Sequence, residues 1–109
     1  MGQDTTLIER YGVRDIPADH PGFRVVFSLA PGQDSVIVHL DGGAWPSGLV
    51  LTAEGRAVGG CDAIPDLDAF TTLGWQDTIN VQGLEEFAVR VSTVGAAGYV
   101  RIVARGHRD

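Results

Sequence analysis

The chain has 109 residues, enough for one domain whose core holds without disulfides. Its 44% hydrophobic and 20% charged residues exclude a disordered chain, and no apolar run approaches the roughly 20 residues of a membrane-spanning helix. Fourteen acids against eight bases leave a net charge of −6, and every base is Arg. A polyanion-binding surface needs clustered cations, so neither nucleic acid nor a membrane is expected as a partner.

Residues 1–22 differ in character from the rest of the chain. Pro17, Pro21 and Gly22 interrupt any regular element, Asp15, Asp19 and His20 make the stretch polar, and only 5–13 has strand character. An extended N-terminal arm is expected over 1–22, with a β-sandwich domain over 23–109. Within the arm, Arg14 and His20 are candidate protein-contacting residues. Met1-Gly2 with Thr6 matches the N-myristoylation pattern formally, but no polybasic second signal accompanies it, and neither a lipid anchor nor a signal peptide is expected.

From Phe23 onward the period is two. Phe23, Val25, Phe27 and Leu29 form one apolar face, and Val36, Val38 and Leu40 another, with His39 outward. Turn-forming Pro31-Gly32-Gln33-Asp34 between them predicts an antiparallel hairpin. Residues 41–48 read as a loop around Trp45. Short strands are expected at 49–52 and 56–58, joined through Ala53-Glu54-Gly55, with one helical turn at 66–70 opened by Pro65. Trp75, Ile79 and Val81 alternate onto one side, which predicts Trp75 in the core. After a turn at 82–85, Phe87, Val89 and Val91 face inward and Arg90 and Ser92 outward. The last strand places Val100, Ile102 and Ala104 inward and Arg101 and Arg105 in water. About seven short strands between Gly- and Pro-rich turns predict an all-β fold, an antiparallel β-sandwich of immunoglobulin-like or jelly-roll-like type.

No residue pattern points to a site of chemistry. Cys61 is the single cysteine, which excludes an intramolecular disulfide or a Cys-based zinc site and fits a reducing cytoplasm. It reads as a small turn or core residue; a Cys/His nucleophile would need one of the scattered His20, His39 and His107 beside it. Asp62, Asp66 and Asp68 offer oxygens to a hard cation, but Thr71 stands where a calcium loop starting at Asp66 needs Gly. Whether these acids bind a cation stays open. Glu85-Glu86 reads as a solvated turn. Trp45-Pro46-Ser47-Gly48 lacks the first Gly and the helix of a nucleophile elbow, and no Gly-rich phosphate loop is present. The chain is therefore expected not to be an enzyme and to carry no metal or cofactor. Trp45 has three readings: a cap on one end of the sandwich, an interface anchor, or a platform for a sugar ring.

The C-terminal part carries a Trp and polar strand (Trp75-Gln76-Asp77-Thr78) and a Gly-hydrophobic turn (Gly83-Leu84). Next come Phe87-Ala88-Val89-Arg90-Val91-Ser92, a Gly/Ala turn at 95–98 and a final strand ending near Gly106. This run, about a third of the chain, resembles small β-sandwich virion proteins of tailed bacteriophages, of the capsid decoration or head-fibre type. The resemblance implies a non-enzymatic structural protein that binds and stabilises the capsid surface. Its partner would be the major capsid protein or another virion protein. The chain would be a homo-oligomer, a trimer by analogy, located in the virion after assembly in the host cytoplasm. The alternative is a small carbohydrate- or ligand-binding β-sandwich module using Trp45 and the acidic loop 62–68.

Overall fold

The two-residue period of the sequence becomes two facing antiparallel sheets. The computed structural model describes residues 13–29, 34–57 and 63–107. Residues 1–12, most of the expected 31–34 turn, Cys61 and Asp62 lie outside the described residues, as do the side chains of Arg14 and Asp66. In the first sheet β1 (Val13–Pro17) pairs with β9 (Tyr99–His107), which pairs with β3 (Ser35–Asp41). The far side of β3 is shared by β6 (Gly74–Trp75) and β7 (Ile79–Asn80). The second sheet runs β2 (Arg24–Ser28), β8 (Leu84–Thr93), β4 (Val50–Ala57) and β5 (Ala63–Phe70).

Alternation sets the faces. Val25 and Phe27 of β2, Val36, Val38 and Leu40 of β3, Phe87, Val89 and Val91 of β8, and Val100, Ile102 and Ala104 of β9 all point into the space between the sheets and are buried. Each large apolar side chain so enclosed contributes about 1.5–3 kcal/mol. Opposed in register, Phe27 and Phe87 stack with ring centroids 6.2 Å apart.

Four expectations need correction. The hairpin over 23–40 does not form: β2 pairs with β8 and β3 with β9, in different sheets. A period of two identifies the buried side of a strand but not its neighbour, and either pairing satisfies the same apolar face. Second, the domain does not begin at Phe23: the 13–18 part of the expected arm packs into it. Val13 to Pro17 pair with Val103 to Tyr99, Ile16 and Ala18 are buried in the core, and Ala18 exchanges hydrogen bonds with the 95–98 loop.

Third, 50–57 is one strand. Gly55 does not turn the chain; its missing side chain makes room inside the sandwich, where an added Cβ would meet Leu84 Cδ1 at 2.5 Å. Fourth, 66–70 is strand and not helix. A single turn has no helical stability of its own, whereas pairing lets Phe70 enter the core. Pro65 is accommodated where the β4–β5 register breaks, on a strand at the edge of its sheet.

Candidate functional site

Trp45 stands in the loop between β3 and β4. It is half-buried against the core, and its indole Nε1–H donates to the Leu49 carbonyl at 2.9 Å. The Trp45 loop, the 18–23 turn and the 94–98 loop share one end of the sandwich. They are joined by Ala96 N–H to Ser47 O at 2.9 Å and Gly95 N–H to Ala18 O at 2.9 Å. His20 lies exposed in the middle one, its ring edge-on to Phe23. Arg14 takes its place in β1 opposite Ile102. Two of the three sequence-selected residues, Trp45 and His20, therefore come to one end of the fold.

The larger aromatic feature is elsewhere, and its position overturns an expectation. Trp75 is 59% exposed on the outer face of the first sheet. The cause is a slip in register along β3. His39 faces Trp75 and Val36 faces Ile79, so a step of three residues on β3 spans four on the edge. The extra residue reverses the alternation, so Ile79 points in while Trp75 points out. Gln76 holds the irregularity: its backbone N–H donates to Val38 O at 2.9 Å, and its Nε2 donates to Thr72 O and Gly74 O.

Trp75 rests against His39 with ring centroids 4.6 Å apart. Val103 stands next on β9 in the same cross-strand row. The neighbouring outward row holds Asp41, Arg101 and Asp15, with Arg101 Nε 3.2 Å from Asp15 Oδ1, and beyond it stands exposed Tyr99. The result is an outer face with aromatic rings at two places and a closed acid–base pair between them.

The outer face of the second sheet carries a different arrangement. Glu54 points outward from β4 yet is only 5% exposed, because arginines from neighbouring strands cover it. Arg90 Nε donates to Oε2 at 2.6 Å, and Arg24 Nη2 lies 2.9 Å from Oε1. Arg56 pairs with Glu86 at 2.6 Å beside them. Arg24 and Arg90 are therefore both engaged by Glu54 inside their own chain.

Among the described residues no three His, Cys, Asp or Glu side chains gather into a metal site. The carboxylate of Asp68 accepts the N–H of Ala69 at 2.8 Å. The outer faces present exposed aromatic rings on one side and a network of paired charges on the other. Alternation in the sequence assigns Trp75 to the core and Glu54 to a turn. The first error comes from the register slip beside Gln76, which alternation alone does not reveal, and the second from the turn-like look of Ala53-Glu54-Gly55. Comparison with protein-family models, curated proteins and solved structures finds no match.

Proposed function

We propose that the chain is a non-enzymatic structural protein of a tailed-phage particle that attaches to the capsid surface through the Trp75 face. The fold in this reading is a jelly roll. Support comes from the strand orders β1-β9-β3-β6/β7 and β2-β8-β4-β5: β1 to β4 alternate between the sheets, β4 and β5 pair within the second, and β8 and β9 return one to each sheet, an arrangement consistent with two interlocked Greek keys of the kind frequent in viral capsid proteins. That likeness is one of fold, and the role is argued from the surface. The observation that carries it is Trp75, 59% exposed on a sheet and braced by His39. A large ring held rigidly on a flat face loses little freedom on binding, the property of an interface anchor. The half-buried Trp45 and exposed His20 at one end supply a second contact region for a neighbouring copy in a homo-oligomer.

The test is co-sedimentation of the purified chain with heads assembled from the same genome. Trp75→Ala is expected to reduce attachment about a hundredfold, as for a central aromatic anchor, with the unfolding midpoint unchanged. Failure of the wild-type chain to sediment with heads overturns the virion reading, and equal attachment of the variant overturns the assignment of the face.

Exposed Trp75 and Tyr99 on one face also favour a second reading, carbohydrate binding by ring stacking. Saturable binding on a glycan array, abolished by Trp75→Ala, would select it over capsid attachment.

A further inference from the structure

We infer that the free edge of β2 pairs antiparallel with β2 of a second copy, about a two-fold axis at Val26. The backbone fixes which groups are free. Val91 N–H donates to Phe23 O at 2.8 Å and Leu29 N–H to Glu85 O at 2.9 Å, so the odd-numbered residues of this stretch bond to β8. Arg24, Val26 and Ser28 therefore turn their N–H and C=O groups away from β8. Among the described residues no strand lies beyond them.

The other sheet edges carry devices that block an added strand. β5 holds Pro65, Asp66 and Asp68, and its register is broken. β6 and β7 are two-residue pieces displaced by the slip at Gln76, and β1 carries Arg14, Asp15 and Pro17. β2 has an unbroken register, no proline and no acid, and its cation Arg24 is drawn over the sheet face by Glu54. Val26, 45% exposed, stands in the middle of this edge.

The order of side chains selects a second copy as the occupant. Centring the pairing on Val26 sets Arg24 opposite Ser28 of the second copy and Val26 opposite its own counterpart, as hydrogen-bonded pairs. Three outward rows then continue across the seam: Val26–Ala88–Glu54, Arg24–Arg90–Thr52 and Ser28–Glu86–Arg56. In the central row the two Val26 side chains meet between the two Ala88 methyl groups. In the flanking rows Arg24 of one copy lines up with Glu86 of the other, about 10 Å away at Cα with small Ser28 between them. An Arg and a Glu side chain together close that gap, and no like charges stand directly opposite at the seam. Two-fold symmetry repeats each contact. This pairing rests on the sheet edge and its charge order alone, whether or not the chain belongs to a virion.

Sedimentation velocity of the full chain over roughly 10 μM to 1 mM tests it, together with amide hydrogen exchange followed by NMR across that range. A reversible monomer–dimer equilibrium is expected. The Val26 and Ser28 amides should exchange about tenfold more slowly once nine-tenths of the chain is dimeric. Val26→Lys sets two ammonium groups opposite each other at the axis and removes the apolar contact. It should weaken dimerisation about a hundredfold. A monomer at every concentration overturns the proposal. So does a dimer that a folded Val26→Lys variant leaves intact, which would put the contact on another surface. Protection of Val26 that does not depend on concentration also overturns it, since the edge would then be covered from within the same chain. If the variant does not fold, exchange at Val26 and Ser28 in the wild-type chain decides.

Discussion

Ile16→Ala tests whether the segment before Phe23 belongs to the core. Ile16 is fully buried, and its strand pairs with β9 through five residues. Truncating a buried Ile to Ala costs roughly 2–5 kcal/mol, depending on how far the surroundings collapse. Since β1 has a sheet partner on one side only, it can relax toward β9, which places the expected loss near 2–3 kcal/mol. For a domain of this size that lowers Tm by about 10–20 °C. Urea unfolding monitored by far-ultraviolet circular dichroism and by tryptophan fluorescence measures it, and the midpoint should fall with an unchanged slope. Two truncations extend the test. Removal of 1–12 leaves β1 whole and should keep a cooperative transition. Removal of 1–22 takes away the β1 ladder and uncovers Val100 and Ile102, a loss comparable with the roughly 5–15 kcal/mol that holds a domain together. A change below about 0.5 kcal/mol for Ile16→Ala, the size of an ordinary surface substitution, would refute the packing argument. A cooperative melt of the 23–109 fragment would refute it as well.

Gly95→Ala should be severely destabilising, because the new Cβ would sit 2.7 Å from Leu49 Cβ and 2.8 Å from its backbone N, atoms that cannot swing aside. Gly55→Ala meets the mobile end of Leu84 and should cost less; thermal melts of the two variants give the order, and the reverse order would contradict it. Glu54→Ala leaves two arginines without their shared carboxylate and should cost about 2–3 kcal/mol, below the roughly 3–5 of a fully enclosed pair because Arg24 and Arg90 reach water. A urea midpoint that does not move would disprove that role. Trp45→Phe removes the bond to the Leu49 carbonyl while keeping an aromatic ring, and a loss of about 1–2 kcal/mol in chemical unfolding is expected.

How much of this is legible in the sequence differs from strand to strand. β3 and β9 are readable residue by residue, because both keep an unbroken alternation from end to end. In β8 the inward Phe87, Val89 and Val91 are equally plain. Trp75 is misread, since the one-residue slip near Gln76 divides the expected alternating run into two short strands, reverses the faces and leaves no periodic trace. Glu54 is hidden for a different reason: beside a glycine it resembles a turn, and the arginines that cover it come from positions 24 and 90. Gly55 itself is explained only by Leu67 and Leu84, which approach it from other strands.

The sequence by itself determined the all-β class and the buried side of most strands, because both stem from residue type and a local period of two. Tertiary structure alone decided which strands pair, that 13–18 closes the first sheet, which tryptophan stands in water, and which acid is buried. Those outcomes depend on contacts between residues as distant as Asp15 and Arg101 or Arg24 and Glu54. A local pattern is indifferent among partners that bury the same apolar face, and the choice among them falls to the packing of the whole core.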